Sequence, residues 1–302
     1  MSTLVVMHYP TNLFGRLADH TYVKCGTSGK AWSCWGGKTG GRELGRAPSS
    51  TNRADAIAEP DEKAAIRCYL INGVCHQSAN RILFPAGITA RGARGYEVSE
   101  ALFGPYGRPR GPFGTCSSPF DHHDGVTGDL PECTEGASAK IAKGARKKAS
   151  SRSLKERQAE RKYVRGVLSI YRRAERLLTA PTRSLVGRDL ERFQLALFMY
   201  KVRYHLGAKL NRATANRLGA IRLSTERARM KLEEWFANGE MTLAEFARAF
   251  NEETILFQEA VAGALKPAQY KTLFGLAPGE NVILADPRII RRIVAGRRDA
   301  TE

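Results

Sequence analysis

The sequence lacks any apolar run long enough to cross a membrane as a helix. Its first ten residues, MSTLVVMHYP, have no basic residue ahead of a short apolar run, so they do not resemble a secretory signal peptide. CxxC pairs and the cysteine–histidine spacings typical of zinc sites are also missing. We therefore expect a cytoplasmic protein with reduced thiols and no transmembrane segment, or one exported by a route without a classical signal.

Nucleotide-binding glycine motifs are absent as well. The GGKTGG stretch (residues 36–41) is neither a P-loop nor a dinucleotide fingerprint, so we expect a flexible loop there and no cofactor. The polar segment 45–62 predicts a surface excursion. The Gly- and Pro-rich segment 86–136 predicts turns and short strands rather than long helix.

Charge and cysteine are unevenly distributed along the chain. Residues 1–137 contain 14 Lys and Arg against 13 Asp and Glu, whereas residues 138–302 contain 34 against 17. All six cysteines lie in the first part. The length allows two ordinary domains, and 42% of the residues are hydrophobic. We predict an N-terminal domain over residues 1–136, a basic linker over 137–151 and a helical, strongly basic domain over 152–302.

The N-terminal part has the pattern of an α+β domain with a small antiparallel sheet. Residues 3–9, 20–25 and 30–35 are rich in β-forming side chains and predict three strands, the last two joined by a GTSG turn. CHQSANRILF, which begins at Cys75, predicts a helix that ends before Pro85.

The C-terminal part has the apolar periodicity of amphipathic helices. The predicted helices cover residues 152–179, 187–209, 212–237, 242–250 and 252–264. Thr242 and Glu245 form the pattern of a capping box, which we favour over the second half of an EF-hand. The tail after residue 280 predicts a short strand and a last helix.

The stretch INGVCHQSANRIL (residues 71–83) places Cys75 in the expected first turn of its helix. Asn72 and Gly73 permit a tight turn ahead of it. Unpaired N–H groups of a first turn carry partial positive charge, which lowers a cysteine pKa from about 8.5 to roughly 3.5–7.5. The same N–H groups can hold an oxyanion during acyl transfer. The arrangement therefore favours Cys75 as a nucleophile.

A helix that opens with cysteine, combined with a histidine-bearing strand in a small hairpin, resembles the papain-like fold. The order histidine first, cysteine later is similar to the circularly permuted branch of the NlpC-type thiol peptidases, which includes lecithin:retinol acyltransferase. HTYV (residues 20–23) and NGVCHQ (residues 72–77) are the matching motifs. The resemblance implies Cys75 as nucleophile and His20 as general base. It also implies amide or ester substrates, such as peptides, peptidoglycan stem peptides or lipids.

The resemblance further implies a polar third residue on the strand after His20, which would orient the imidazole. Ser33 has that place in KAWSCW, with Cys34 as the other choice, and neither is a usual one. Gln77, two residues after the nucleophile, is a candidate supporting residue.

Other interpretations of these residues remain open. In the unpermuted order, His122 or His123 would be the base instead of His20. The DHHD stretch (residues 121–124) contains metal-ligand types, but four consecutive residues cannot all face one ion, so we expect no metal site. Cys75 could also be a small buried hydrophobe, because free cysteine is among the most buried residue types.

A basic run from Lys140 to Arg173 contains 13 Lys and Arg. Such a cluster can neutralise nucleic-acid phosphates, an anionic surface or an acidic protein partner. The candidate contact residues are Lys143, Arg146, Lys147, Lys148, Arg152, Arg161 and Lys162.

Two functions from different classes follow. The first is a cysteine-dependent hydrolase or acyltransferase whose basic helices recruit a partner. The second is a non-enzymatic binding or structural protein whose basic helices contact a polyanion or an acidic protein. A toxin or effector would have the same sequence features as the first.

Overall fold

The chain folds into a small antiparallel sheet followed by packed helices. The computed structural model describes residues 2–10, 16–33, 36–63, 69–108, 154–177, 185 and 187–291. Its strands are β1 (Ser2–Tyr9), β2 (His20–Cys25), β3 (Ala31–Trp32) and β4 (Arg42–Ser49). Its helices are α1 (Thr51–Lys63), α2 (Cys75–Leu83), α3 (Tyr96–Phe103), α4 (Leu154–Leu177), α5 (Gly187–Leu206), α6 (Arg212–Ala237), α7 (Leu243–Ala264) and α8 (Pro267–Phe274). None of these described helices is both long and apolar enough to span a membrane.

The four strands lie in the order β3-β2-β1-β4, and every neighbouring pair is antiparallel. Successive side chains of a strand point to opposite faces, and paired residues share a face. One face, called here the helix face, carries the paired residues Leu4 with Cys25, Val6 with Val23, and His8 with Thr21. Its apolar members pack against α1 and α2. The other, called here the loop face, carries Tyr9 with His20 and Met7 with Tyr22.

Two sequence expectations about loops are wrong. The segment 45–62, expected as a surface excursion, forms most of β4 and α1. Strand β4 pairs with β1 through its backbone, and Ala54, Ile57 and Ala58 bury one side of α1 at helical spacing. In the segment 86–136, expected to contain turns and short strands, the described residues 86–108 include the helix α3, and residues 109–136 lie outside the described residues.

The helices expected in the second part are largely confirmed, and residues 242–264 form one continuous helix instead of two. The capping box at its start is present. The Thr242 Oγ1 accepts from the Glu245 N–H at 3.3 Å, and Glu245 Oε2 accepts from the Thr242 N–H at 2.7 Å. No loop geometry of an EF-hand is needed to explain this stretch.

The parts on either side of the predicted linker share a core. That linker, residues 137–151, lies outside the described residues. Apolar side chains from the 69–103 region pack with those of α5 to α8 in one cluster. Buried ion pairs join the same parts: Arg108 binds Glu226 and Glu233 of α6. These contacts fix the N-terminal helices against the basic ones.

Candidate active site

The turn before α2 is shaped by a close approach of two segments. Leu70 has a φ of 67°, a left-handed conformation that a branched side chain seldom adopts. At Gly73 a Cβ atom would lie 2.6 Å from the Gln77 Cβ, so only glycine fits. The Asn-Gly pair therefore serves the turn as the sequence predicted, and it leads directly into Cys75, the first residue of the helix.

Gln77 stabilises this helix start from inside the protein. Its Oε1 accepts from the Val74 N–H at 3.1 Å, and its Nε2 donates to Ser99 Oγ at 3.2 Å and to the Gly104 carbonyl at 3.1 Å. The side chain is fully buried. Its place is thus structural support of the turn, with each polar group bonded within the protein.

Cys75 is partly exposed, and its sulfur lies beside the start of β2. The thiol donates to the backbone carbonyl of Asp19 at an Sγ–O distance of 3.7 Å. No hydrogen bond joins this sulfur to an imidazole of the described residues. The backbone and side chain of Thr21 also lie near the sulfur.

The environment keeps this thiol protonated, against the expectation from the helix start. Burial raises the pKa of Cys75 to about 11, and the carboxylate of Asp286 acts in the same direction. Contacts with Thr21 and with the His76 backbone oppose the rise but do not cancel it. Desolvation of a thiolate therefore outweighs the first-turn dipole here, and Cys75 would need a base to remove its proton before it could act as a nucleophile.

His76 points away from the thiol and into the protein. Its Nδ1 lies 2.8 Å from Ser99 Oγ and its Nε2 lies 3.0 Å from the Asp19 carbonyl oxygen. Burial lowers the pKa of His76 to about 4, so the ring is neutral near pH 7. A carbonyl can only accept, so Nε2 carries the proton, while the Ser99 hydroxyl beside Nδ1 donates to the Tyr96 carbonyl at 2.8 Å. His76 thus anchors Asp19 to α2.

His8 and Asp19 form a hydrogen-bonded pair on the helix face. The His8 Nδ1 lies 2.8 Å from Asp19 Oδ2, and the same carboxylate oxygen accepts from the Arg94 N–H at 3.0 Å. His8 is the β1 partner of Thr21, the residue beside the Cys75 sulfur. Asp19 therefore contacts the Cys75 thiol through its carbonyl and an imidazole through its carboxylate.

His20, the base expected from the sequence, lies on the loop face. Its ring stacks on Tyr9 with 4.8 Å between centroids, and its Nε2 contacts the Gly37 carbonyl at 3.1 Å. Ser33 Oγ lies 3.4 Å from the same nitrogen. The structure thus brings His20 and Ser33 together as the resemblance implied. Strand alternation puts them on the face opposite to Thr21 and α2.

A C-terminal segment, Asn281–Asp286, lies across the start of β2 and is called here the strap. Ile283 pairs with the 16–18 segment: its N–H donates to the Arg16 carbonyl at 2.9 Å and its carbonyl accepts from the Ala18 N–H at 3.0 Å. The strap therefore lies against the two residues that precede Asp19.

Two side chains of α7 hold the strap in place. Asn251 Oδ1 accepts from the Leu284 and Ala285 N–H groups, and Gln258 bonds both backbone groups of Val282. At its end, the Asp286 N–H donates to the Tyr69 hydroxyl at 2.8 Å. A helix of the basic part thus positions a carboxylate near Cys75.

Several sequence-predicted residues lie outside the described residues. They are Cys34, His122, His123, Lys143, Arg146, Lys147, Lys148 and Arg152. Arg161 and Lys162 lie on α4, and the Lys162 side chain is exposed.

Comparisons with family models, with curated proteins and with solved structures found no match. The interpretation of the site therefore depends on its own residues. Sequence reasoning missed His8 and Asp19. Asp19 stands next to His20, and His8 ends the first predicted strand, but only the strand register shows which face each occupies.

Proposed function

We propose that the protein is a papain-like, cysteine-dependent hydrolase or acyltransferase for an amide or ester, with Cys75 as its nucleophile. His8 acts as general base, oriented by Asp19. The contacts of Asp19 carry the proposal, because this one residue touches the Cys75 thiol through its carbonyl and His8 through its carboxylate. A nucleophile, a base and a group that orients the base are the parts that such chemistry requires.

The resting state has a neutral thiol, since burial raises the pKa of Cys75 to about 11. Asp19 binds His8 Nδ1, which leaves Nε2 to take the thiol proton. The sulfur then attacks the acyl carbonyl, and first-turn N–H groups of α2 hold the developing oxyanion. The protonated His8 gives its proton to the leaving group, and water or another acceptor releases the acyl group from Cys75.

Acyl transfer to Cys75 is tested directly with p-nitrophenyl acetate. We expect release of p-nitrophenol together with an acetyl group on Cys75, located by peptide mass spectrometry. Cys75→Ala should remove both signals. Cys25→Ala is the control for the other free thiol of the described residues: burial opposes its ionisation, but hydrogen bonds with Ser28 and Thr27 lower the pKa of Cys25 to about 6. Equal release by wild type and Cys75→Ala would overturn the proposal.

An exposed basic stripe on α4 supports a second, non-enzymatic function. Lys162, Arg165, Arg172 and Arg173 are exposed along this helix, while Tyr163 and Tyr171 are buried and so not available for base stacking. The stripe fits sequence-independent contact with a polyanion. Binding of a labelled random RNA should weaken steeply with salt, and replacing the three arginines by Gln should reduce that slope. Binding that is insensitive to these changes would exclude it.

A further inference from the structure

A buried hydroxyl beside the Cys75 thiol lacks a hydrogen bond. Thr21 is 1% exposed, and among the described residues its Oγ1 makes no hydrogen bond. Buried hydroxyls nearly always have a partner, and leaving one without a partner costs about 1–3 kcal/mol. An unmet hydroxyl at this place therefore calls for an explanation in terms of a state other than the resting one.

Thr21 lies next to both groups that would exchange a proton. Its side chain shares the helix face with His8, its direct partner on β1. The Cys75 sulfur also lies near Thr21 and points to the carbonyl of Asp19, two residues before it. The Thr21 side chain is close enough to the sulfur to favour its ionised form.

We propose that the Thr21 hydroxyl donates a hydrogen bond to the Cys75 sulfur once His8 has removed the thiol proton. Thr21 is then a catalytic residue of the reaction proposed above, and the inference rests on that reaction. A neutral thiol is a weak acceptor, so the hydroxyl gains little in the resting state. A thiolate accepts a charge-assisted bond, which is roughly twice as strong.

The proton transfers balance without an added reactant. The Cys75 proton moves to His8 Nε2, and Thr21 keeps its own proton while it rotates toward the sulfur. The bond exists only in the ionised state, so it lowers the free energy of the reactive form without stabilising the resting one.

Thr21→Val is the test, because it keeps the branched shape and removes the hydroxyl. The measurement is the rate of Cys75 alkylation by iodoacetamide across pH, followed by peptide mass spectrometry with Cys25 as internal reference. We expect alkylation of Cys75 at a fixed pH to fall about tenfold or more, which is the loss of a hydrogen bond to a charged group. Thr21→Ser should restore the wild-type rate.

The outcome separates this inference from the proposed function, because the titration needs no substrate. An unchanged alkylation profile in Thr21→Val would overturn the role of Thr21, whether or not the protein hydrolyses esters. A shifted profile with rescue by Ser would support it, even if no acyl transfer to Cys75 is found. If Thr21→Val does not fold, the comparison of Thr21→Ala with Thr21→Ser decides in the same way.

Discussion

The two faces of the sheet each carry a histidine, and different residues contact the two rings. On the loop face, His20 lies between Tyr9, Ser33 and the glycine loop after β3. On the helix face, His8 is bound to Asp19 and lies next to Thr21. Both histidines are in one antiparallel pair of strands, one position apart in register. A shift of a single residue thus decides which ring shares the face that α2 covers.

The faces also differ in what covers them. Backbone carbonyls of the loop after β3 accept from the polar tips of the loop face, such as the Tyr22 hydroxyl on Gly40 at 2.6 Å. The helix face is covered by α1 and α2, and near His8 by Asp19. The loop face therefore has the bonding pattern of a structural layer, while the helix face brings together titratable groups of separate segments.

The largest expected effect comes from replacing the proposed base, His8, and it is compared with the replacement of His20. His8→Gln should lower acyl transfer to Cys75 by about 10²–10⁴-fold, the usual contribution of a general base. His20→Gln should leave the rate close to wild type, because its ring lies on the other face. The rate of p-nitrophenol release checks both, with thermal unfolding as the control for folding. The reverse result would make His20 the base and His8 a structural residue.

Acid should lower the free energy of unfolding, because His76 is buried in its neutral form. The pKa of His76 is about 4 when folded, below the 6.5 of a free imidazole, so its contribution is complete above pH 6.5. As pH falls from 6.5 to 4, His76 is protonated in the unfolded chain but stays neutral in the folded protein. The free energy of unfolding measured with urea should therefore fall by about 3 kcal/mol over this pH range.

His76→Asn should remove that part of the pH dependence. His205→Asn is the comparison variant, because burial also lowers the pKa of His205 to about 4 at a site on α5. A pH slope that is the same in His76→Asn and wild type would show that His76 is not held neutral.

A smaller effect is expected from crowding the loop face. At Gly36 a Cβ atom would lie 2.3 Å from His20 Cε1, so Gly36→Ala must displace the ring. We expect the free energy of unfolding measured with urea to fall by about 1–3 kcal/mol, as for other overpacked sites. Gly45→Ala is the matched control, since its nearest contact would be Val6 Cγ1 at 4.0 Å. If His20 serves only structure, the Cys75 alkylation profile should stay unchanged in Gly36→Ala.

The smallest effect concerns the charge on the strap. Asp286→Asn should lower the pKa of Cys75, because its carboxylate disfavours the thiolate. Arg288→Gln should act in the opposite direction, since Arg288 Nη2 pairs with Asp286 Oδ2 at 3.0 Å. Alkylation across pH measures both. Equal shifts of the same sign would mean that packing, and not charge, causes the change.

Much of the fold follows from local patterns in the sequence. Strand β2 and helix α6 begin and end where β-propensity and apolar periodicity predict. The turn before Cys75 could also be predicted from a local pattern, because the Asn-Gly dipeptide marks turns. Strand β4 was missed because its residues RELGRAPS lack alternation, and its partner β1 is distant in the chain.

The partner of Cys75 could not be predicted in this way. Which imidazole shares a face with α2 depends on the register between β1 and β2, a non-local property. The pKa of the thiol is raised by burial and, to a smaller extent, by Asp286, more than 200 residues further along the chain. The sequence therefore indicated Cys75 as a candidate nucleophile but not the surroundings that set its protonation.

The strap connects helix α7 to the segment that leads into strand β2. Asn251 and Gln258 fasten it from α7, and Ile283 extends the 16–18 segment by backbone pairing. A fragment that ended before residue 281 would lack the strap groups that bond the Arg16 carbonyl and the Tyr69 hydroxyl, and the carboxylate that raises the pKa of Cys75. The N-terminal part should therefore be studied only with its helices attached, because the pKa of Cys75 would otherwise change.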